Sequence, residues 1–211
     1  ANGSAEAEAA VAVGALTVGD DDAFNITGPL TLEAWIKTDL VEGGGSGRAA
    51  HQQILGKGDQ QYALKVAPSG NLDFFVYDGS NWHLVGTPMG PSFAGTERHV
   101  AGVFDGDQLR LYLDGSLVAS TAVQVDRVAT SDYPLTVGSN SQIPGRDFDG
   151  LVREARVYNR ALSANEVAEI FVLETPSTYT LEAADPANGS VTGAGTYQAD
   201  TEATLTASPD L

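Results

Sequence analysis

Three kinds of side chain in this sequence carry chemistry: clustered aspartates, an aromatic hairpin tip, and scattered histidines. The aspartates fall in short loop-like runs, Asp20-Asp21-Asp22, Asp105-Gly106-Asp107 and Asp147-Phe148-Asp149. Carboxylates mixed with backbone carbonyls are what a hard cation such as calcium requires. Asp20, Asp22, Asp147 and Asp149 are therefore the expected metal ligands. The competing reading is that these aspartates only hydrogen-bond their own turns. The segment Tyr77-Asp78-Gly79-Ser80-Asn81-Trp82-His83 combines aromatic rings with amide, carboxylate and imidazole groups. A sugar needs that combination, with a ring against its apolar face and polar groups for its hydroxyls. Tyr77, Asn81, Trp82 and His83 are thus candidate ligand contacts, and Trp82 otherwise caps a hydrophobic edge. Trp35, flanked by Leu32, Ala34 and Ile36, reads as core.

Catalytic patterns are missing. A glycosidase on a β-sandwich needs paired carboxylates facing one cleft, as in Glu-x-Asp-x-x-Glu on a strand. No such spacing occurs, and Glu33 and Glu154 stand singly on predicted strands, where a solvated or ion-paired role is expected. The three histidines do not cluster. His99 lies in an apolar strand, where packing is expected, and neither His51 nor His83 has the partners of a metal site. His51 and Gln53 are near each other, but the longer signatures of a polysaccharide lyase are missing. The run Gly43-Gly44-Gly45-Ser46-Gly47 reads as a mobile loop, without the Lys and Ser/Thr of a phosphate cradle.

The elements that must position these groups are short strands. Leu72, Phe74 and Val76 alternate with Asp73, Phe75 and Tyr77 before the Asp78-Gly79 turn. Leu109, Leu111 and Leu113 alternate with Arg110 and Tyr112 before Asp114-Gly115, which leads into Leu117-Val118-Ala119. A period of two means one buried face and one wet face. Further strands are expected over 31–37, 62–66, 99–104 and 135–138. Strands separated by turns at this spacing indicate an all-β antiparallel sandwich or barrel. One helix is expected: Ser163-Ala164-Asn165-Glu166 is a capping box, followed by Val167, Ile170 and Phe171 at helical spacing. Pattern breaks at Glu174-Thr175-Pro176-Ser177 divide the chain into residues 1–174 and a tail, 175–211. That tail reads as a linker and an incomplete β-repeat, with strands over 179–183, 189–191 and 203–207.

The 211 residues include 28 acids and 11 bases, a net charge of −17, and no cysteine. Disulfides, thiolate metal sites and cysteine nucleophiles are excluded. The negative field repels phosphate backbones, so no nucleic-acid partner is expected, while it attracts cations. No apolar run approaches the roughly 20 residues of a membrane-spanning helix, so no membrane insertion is expected.

The stretch Phe148-Asp-Gly-Leu-Val-Arg-Glu-Ala-Arg-Val-Tyr-Asn-Arg-Ala-Leu-Ser163, followed by Glu166, resembles the closing strand and helix of bacterial laminin-G-like, concanavalin A-like domains. Leu30 to Lys37, Gln53 to Gly58, Arg98 to Gly106 and Leu111 to Gly115 follow the order of that family. The resemblance covers roughly residues 10–173 and implies a jelly roll with one short C-terminal helix. In pentraxin-like relatives, ligand-bearing calcium sits before the closing strand, here 139–149, which adds Asn140 and Gln142 as ligand contacts. Two departures stand out: Ala10 to Leu16 lacks the family's acidic element, and Arg98 stands where a tryptophan is usual. The tail, Tyr-Thr-Leu-Glu-Ala and Gly-Ser-Val-Thr-Gly-Ala-Gly-Thr-Tyr, resembles the opening of an InlB-type B repeat. Together these imply a non-catalytic module of a secreted or cell-surface bacterial protein. It would recognise a polysaccharide or glycoconjugate, with calcium, beside other domains of the same polypeptide. The alternatives are a protein-binding or spacer domain of an adhesin and, further off, a glycoside hydrolase or lyase.

Overall fold

The computed structural model describes residues 15–38, 51–175, 178–181, 189–193, 195–198, 204 and 206–209. The Gly43–Gly47 run and most of Ala10 to Leu16 lie outside them. Contacts divide the chain into two units, residues 1–171 and 172–211.

The first unit is a sandwich of two antiparallel sheets. Its strands are β1 (Leu16–Gly19), β2 (Leu30–Lys37), β3 (Gln52–Gly56), β4 (Tyr62–Val66), β5 (Asn71–Tyr77), β6 (Trp82–Pro88), β7 (Glu97–Phe104), β8 (Gln108–Leu113), β9 (Ser116–Ala122), β10 (Leu135–Val137) and β11 (Leu151–Tyr158). Six of them form one sheet in the order β1-β10-β3-β4-β5-β6, and five form the other, β11-β2-β7-β8-β9. Each strand's alternation decides which residues meet between the sheets. Leu30, Leu32, Ala34 and Ile36 of β2 face Tyr62, Leu64, Val66, Leu72, Phe74 and Val76 of β4 and β5 in one continuous core. At about 1.5–3 kcal/mol for each large side chain buried, this core dominates stability.

Although β9 at its edge is exposed, the outer face of the five-stranded sheet is not wet at its centre. Helix α1 (Ala164–Glu174) covers it, burying Val167 with Leu162, Ala101, Val103, Tyr112 and Tyr158 in a second cluster. Its start is the expected capping box: Glu166 N donates to Ser163 Oγ at 3.2 Å, and Ser163 N to Glu166 Oε2 at 2.8 Å. Strand β2 is consequently buried on both faces up to Ile36, as Trp35 suggested. Trp35 stacks on Phe171 with centroids 5.7 Å apart, and the Arg153 guanidinium lies 4.7 Å from its ring.

Beneath the helix, Glu33 is fully buried. It accepts hydrogen bonds from His99 Nε2 (3.0 Å), Tyr158 Oη (2.7 Å) and Arg156 Nη1 (3.2 Å). Burial alone would raise its pKa, but these bonds hold it below the usual glutamate value. Of the roles expected for Glu33, the ion-paired one is observed, and solvation is excluded by its burial. His99 is packed, as expected. Glu154 pairs with Arg156 at 3.0 Å, on a strand irregularity where its own φ is 51°.

The second unit contains two small antiparallel pairs. β12 (Thr178–Leu181) pairs with β14 (Gly195–Gln198), and β13 (Gly189–Thr192) pairs with β15 (Thr206–Pro209). The expected strand over 203–207 is observed at 206–209, and β14 was not anticipated.

Candidate functional site

The β5–β6 hairpin forms from the predicted turn. Gly79 takes φ 98°, a left-handed conformation that glycine adopts without steric cost. Asp78 Oδ1 accepts from the amides of Ser80 and Asn81, both at 2.7 Å. These bonds, together with His83 Nε2 at 2.7 Å from Asp78 Oδ2, hold the Asp78 carboxyl well below the usual range. His83 and Asn81 thus help to build the turn. Trp82 is 58% exposed, packs on Tyr77 at 4.8 Å, and donates from Nε1 to the Asp59 carbonyl at 2.6 Å.

Asp59 is the hub of the site, and sequence reasoning missed it. Its carboxylate accepts from Asn140 Nδ2 at 2.9 Å and pairs with Arg146, and its amide donates to Gln142 Oε1 at 2.9 Å. Asn140 also donates to Gln53 and accepts from the amides of Gln142 and Ile143. The predicted contacts Trp82, Asn140 and Gln142 therefore converge on one loop, with Tyr77 beneath Trp82. No short-range signal marks Asp59, because its partners lie 23 to 87 residues away in sequence.

Beside this hub, register places a row of residues on the outer face of the six-stranded sheet. Lys65 is opposite Asp73, which is opposite Gly86; Phe75 is opposite Leu84; Tyr77 is opposite Trp82. Leu84 is 46% exposed. Lys65 Nζ sits 4.4 Å from the centroid of the Phe75 ring. Burial lowers the Lys65 pKa, opposed by Asp59 and Asp73 and reinforced by Arg146. Burial raises the Asp73 pKa to about 6, offset in part by Lys65. Burial, with Lys65 and Arg146, lowers the pKa of His51, whose buried Nδ1 has no hydrogen-bond partner. Of Lys65, Asp73 and His51, only Asp73 was placed by a strand pattern, on the polar side of the β5 alternation.

The expected metal ligands fall differently. Asp20 Oδ1 accepts from the buried Lys57 Nζ at 2.6 Å, so an ammonium stands at that carboxylate. Asp21 caps the short helix Asp22–Phe24, and Asp22 is exposed. Asp147 and Asp149 are exposed on the loop before β11. Among the described residues no three His, Asp or Glu side chains gather as a metal-ligand group. Asp105 accepts from the Asp107 and Gln108 amides and pairs with Arg110, the turn-building alternative for that cluster.

Residues 12–168 match the family model described as the concanavalin A-like lectin/glucanases superfamily. The chain belongs to this family. The match ends before the repeat-like tail. No curated protein matches the chain. Among solved structures, the binding domain of Paraclostridial Mosquitocidal Protein 1 is similar at 16% identity and TM-score 0.58, covering 74% of this chain and 40% of that one. The botulinum neurotoxin serotype C1 binding domain is similar at 13% identity and TM-score 0.57, covering 79% and 42%. The serotype D ligand-binding domain, solved with N-acetylneuraminic acid, is similar at 14% identity and TM-score 0.55, covering 70% and 37%. At these identities the likeness shows the fold, a concanavalin A-like jelly roll. The chain spans about two fifths of the length of these structures.

Proposed function

We propose that this domain is a non-catalytic module that binds a glycoconjugate on the outer face of the six-stranded sheet, beside Asp59. The observation that carries the reading is Trp82: a large ring exposed to solvent, yet held in place by its Asp59 bond and by Tyr77. A pre-positioned aromatic costs little entropy when a sugar stacks on it. The similar serotype D domain was solved with a sialic acid, which supports a glycoconjugate ligand. The proposal places the module in a secreted or cell-surface multidomain protein.

Calcium belongs to the proposal at Asp147 and Asp149, the exposed carboxylates next to the Asn140–Arg146 loop. It does not extend to Asp20, where Lys57 already supplies the positive charge. A rise in melting temperature on adding calcium, lost in Asp147→Asn, tests this part.

A second reading is protein recognition, favoured by the related neurotoxin DC binding domain solved with rat synaptotagmin II. Glycan-array binding of the 211-residue chain, with Trp82→Ala as control, separates the two. Saccharide signals that vanish in the variant support the first reading. An array without signal contradicts it and leaves protein capture as the function.

A further inference from the structure

Resting on that glycan-binding reading, we infer that the ligand is an uncharged oligosaccharide, with Asp73 and Lys65 bonding neighbouring hydroxyls while Trp82 and Leu84 take its apolar face.

Three observations converge. Asp73 is only 5% exposed and accepts no hydrogen bond among the described residues, although register turns it away from the sandwich core. A carboxylate so largely desolvated is costly to leave without a donor, and the outer face is the side from which one can come. Gly86 makes its position possible: a Cβ there would lie 2.2 Å from Asp73 Oδ1. Second, Lys65 is the donor opposite. Lys57, Arg98, Arg110, Arg146, Arg153, Arg156 and Arg160 are all in ion pairs. Lys65 instead rests on Phe75, its ammonium held, among the described residues, by the ring and by longer-range attraction to Asp59 and Asp73. Third, the His51 Nδ1 atom in the same electrostatic group also lacks a partner.

Charge then selects the ligand class. Asp73 faces Lys65, and Lys65 in turn faces Asp59 from the β3–β4 loop, Arg146 from the loop before β11, and His51 ahead of β3. With His51 neutral, two cations meet two carboxylates, and the cluster has no net charge to attract an anion. The whole chain carries −17, which repels acidic polysaccharides. A donor and an acceptor side by side match a hydroxyl pair. Apolar steps at Leu84 and Trp82 match the non-polar face of a pyranose. Gly86 and Trp82 are four strand steps apart, about 13 Å at the rise of a strand, so the row fits a chain of sugars rather than one.

The test is calorimetric titration of the full 211-residue protein with neutral gluco-, manno-, galacto- and xylo-oligosaccharides, alongside oligogalacturonate and a sialyl-oligosaccharide. The expected result is binding of at least one neutral series, weakened roughly 10- to 100-fold in Asp73→Asn and Lys65→Met. Wild-type binding should weaken as pH falls through about 6, and Asp73→Asn should lose that dependence. Preference for the acidic ligands overturns the inference. So do Asp73→Asn and Lys65→Met variants that bind as tightly as wild type while Trp82→Ala does not, an outcome that leaves the glycan reading standing. Silence toward every saccharide overturns both.

Discussion

In the proposed site, Asp73 is a residue whose burial weakens the fold that holds it. Its carboxyl is raised from 3.8 to about 6 by burial. A folded-state pKa above the unfolded one means that its contribution to stability is complete below about 3.8 and is lost as pH rises through about 6. Asp73→Asn should therefore raise unfolding free energy at pH 7.5 by roughly 1–3 kcal/mol, and leave it nearly unchanged at pH 4. Urea melts at the two pH values check this. Glu33 has the opposite sign. Its pKa is held down by its partners, so its contribution is present above the ordinary glutamate value and lost as pH falls through the lowered one. Removing it takes the shared acceptor from His99, Tyr158 and Arg156, of which Arg156 keeps Glu154. Glu33→Ala should cost about 3–5 kcal/mol by the same urea melts, and a loss below about 1 kcal/mol would contradict the network's structural role.

At the scale of elements, helix α1 covers the centre of one sheet, and the proposed ligand surface lies on the other. Ser163→Ala removes one side of the capping box and should destabilise by about 1 kcal/mol in the same melts. Elements whose signal is local were legible in the sequence. The β5–β6 and β8–β9 hairpins follow from alternation and their Asp-Gly turns, and α1 follows from its cap. Strand β11 was legible only through family resemblance, because its two irregular residues interrupt alternation. The short β1 and β14 lacked enough residues to show a period. The site was legible in halves. Trp82 was named from the make-up of its hairpin tip, and Asn140 and Gln142 from the family resemblance, but their convergence on Asp59 depends on non-local pairing of the sheets. Lys65 and His51 acquire meaning only once β3, β4 and β5 lie side by side. The carboxylates expected to hold metal read identically whether they cap a helix, pair with lysine or bind an ion.

For the whole molecule, a charge of −17 opposes compactness and adhesion to other acidic surfaces. Salt screens this repulsion over about 10 Å at 0.1 M, so the melting temperature should rise by a few degrees between 10 and 200 mM sodium chloride. Thermal melts at constant pH check it, and a fall would place the dominant charge effect in the ion pairs instead. Family membership constrains architecture, and function depends on which surface the family's frame leaves open. Here α1 covers the centre of one sheet's outer face, and the other sheet presents Trp82 and Leu84 beside a charge-balanced polar row.

The most direct measurement is residue-resolved: amide chemical-shift mapping of the full chain during titration with the neutral oligosaccharide that binds. We predict that the largest shifts fall on β4, β5 and β6 and on the loop around Asp59, with the Trp82 indole signal among them. Shifts confined to the β9 edge or to the helix-covered sheet, with Lys65, Asp73 and Trp82 unmoved, would contradict the account.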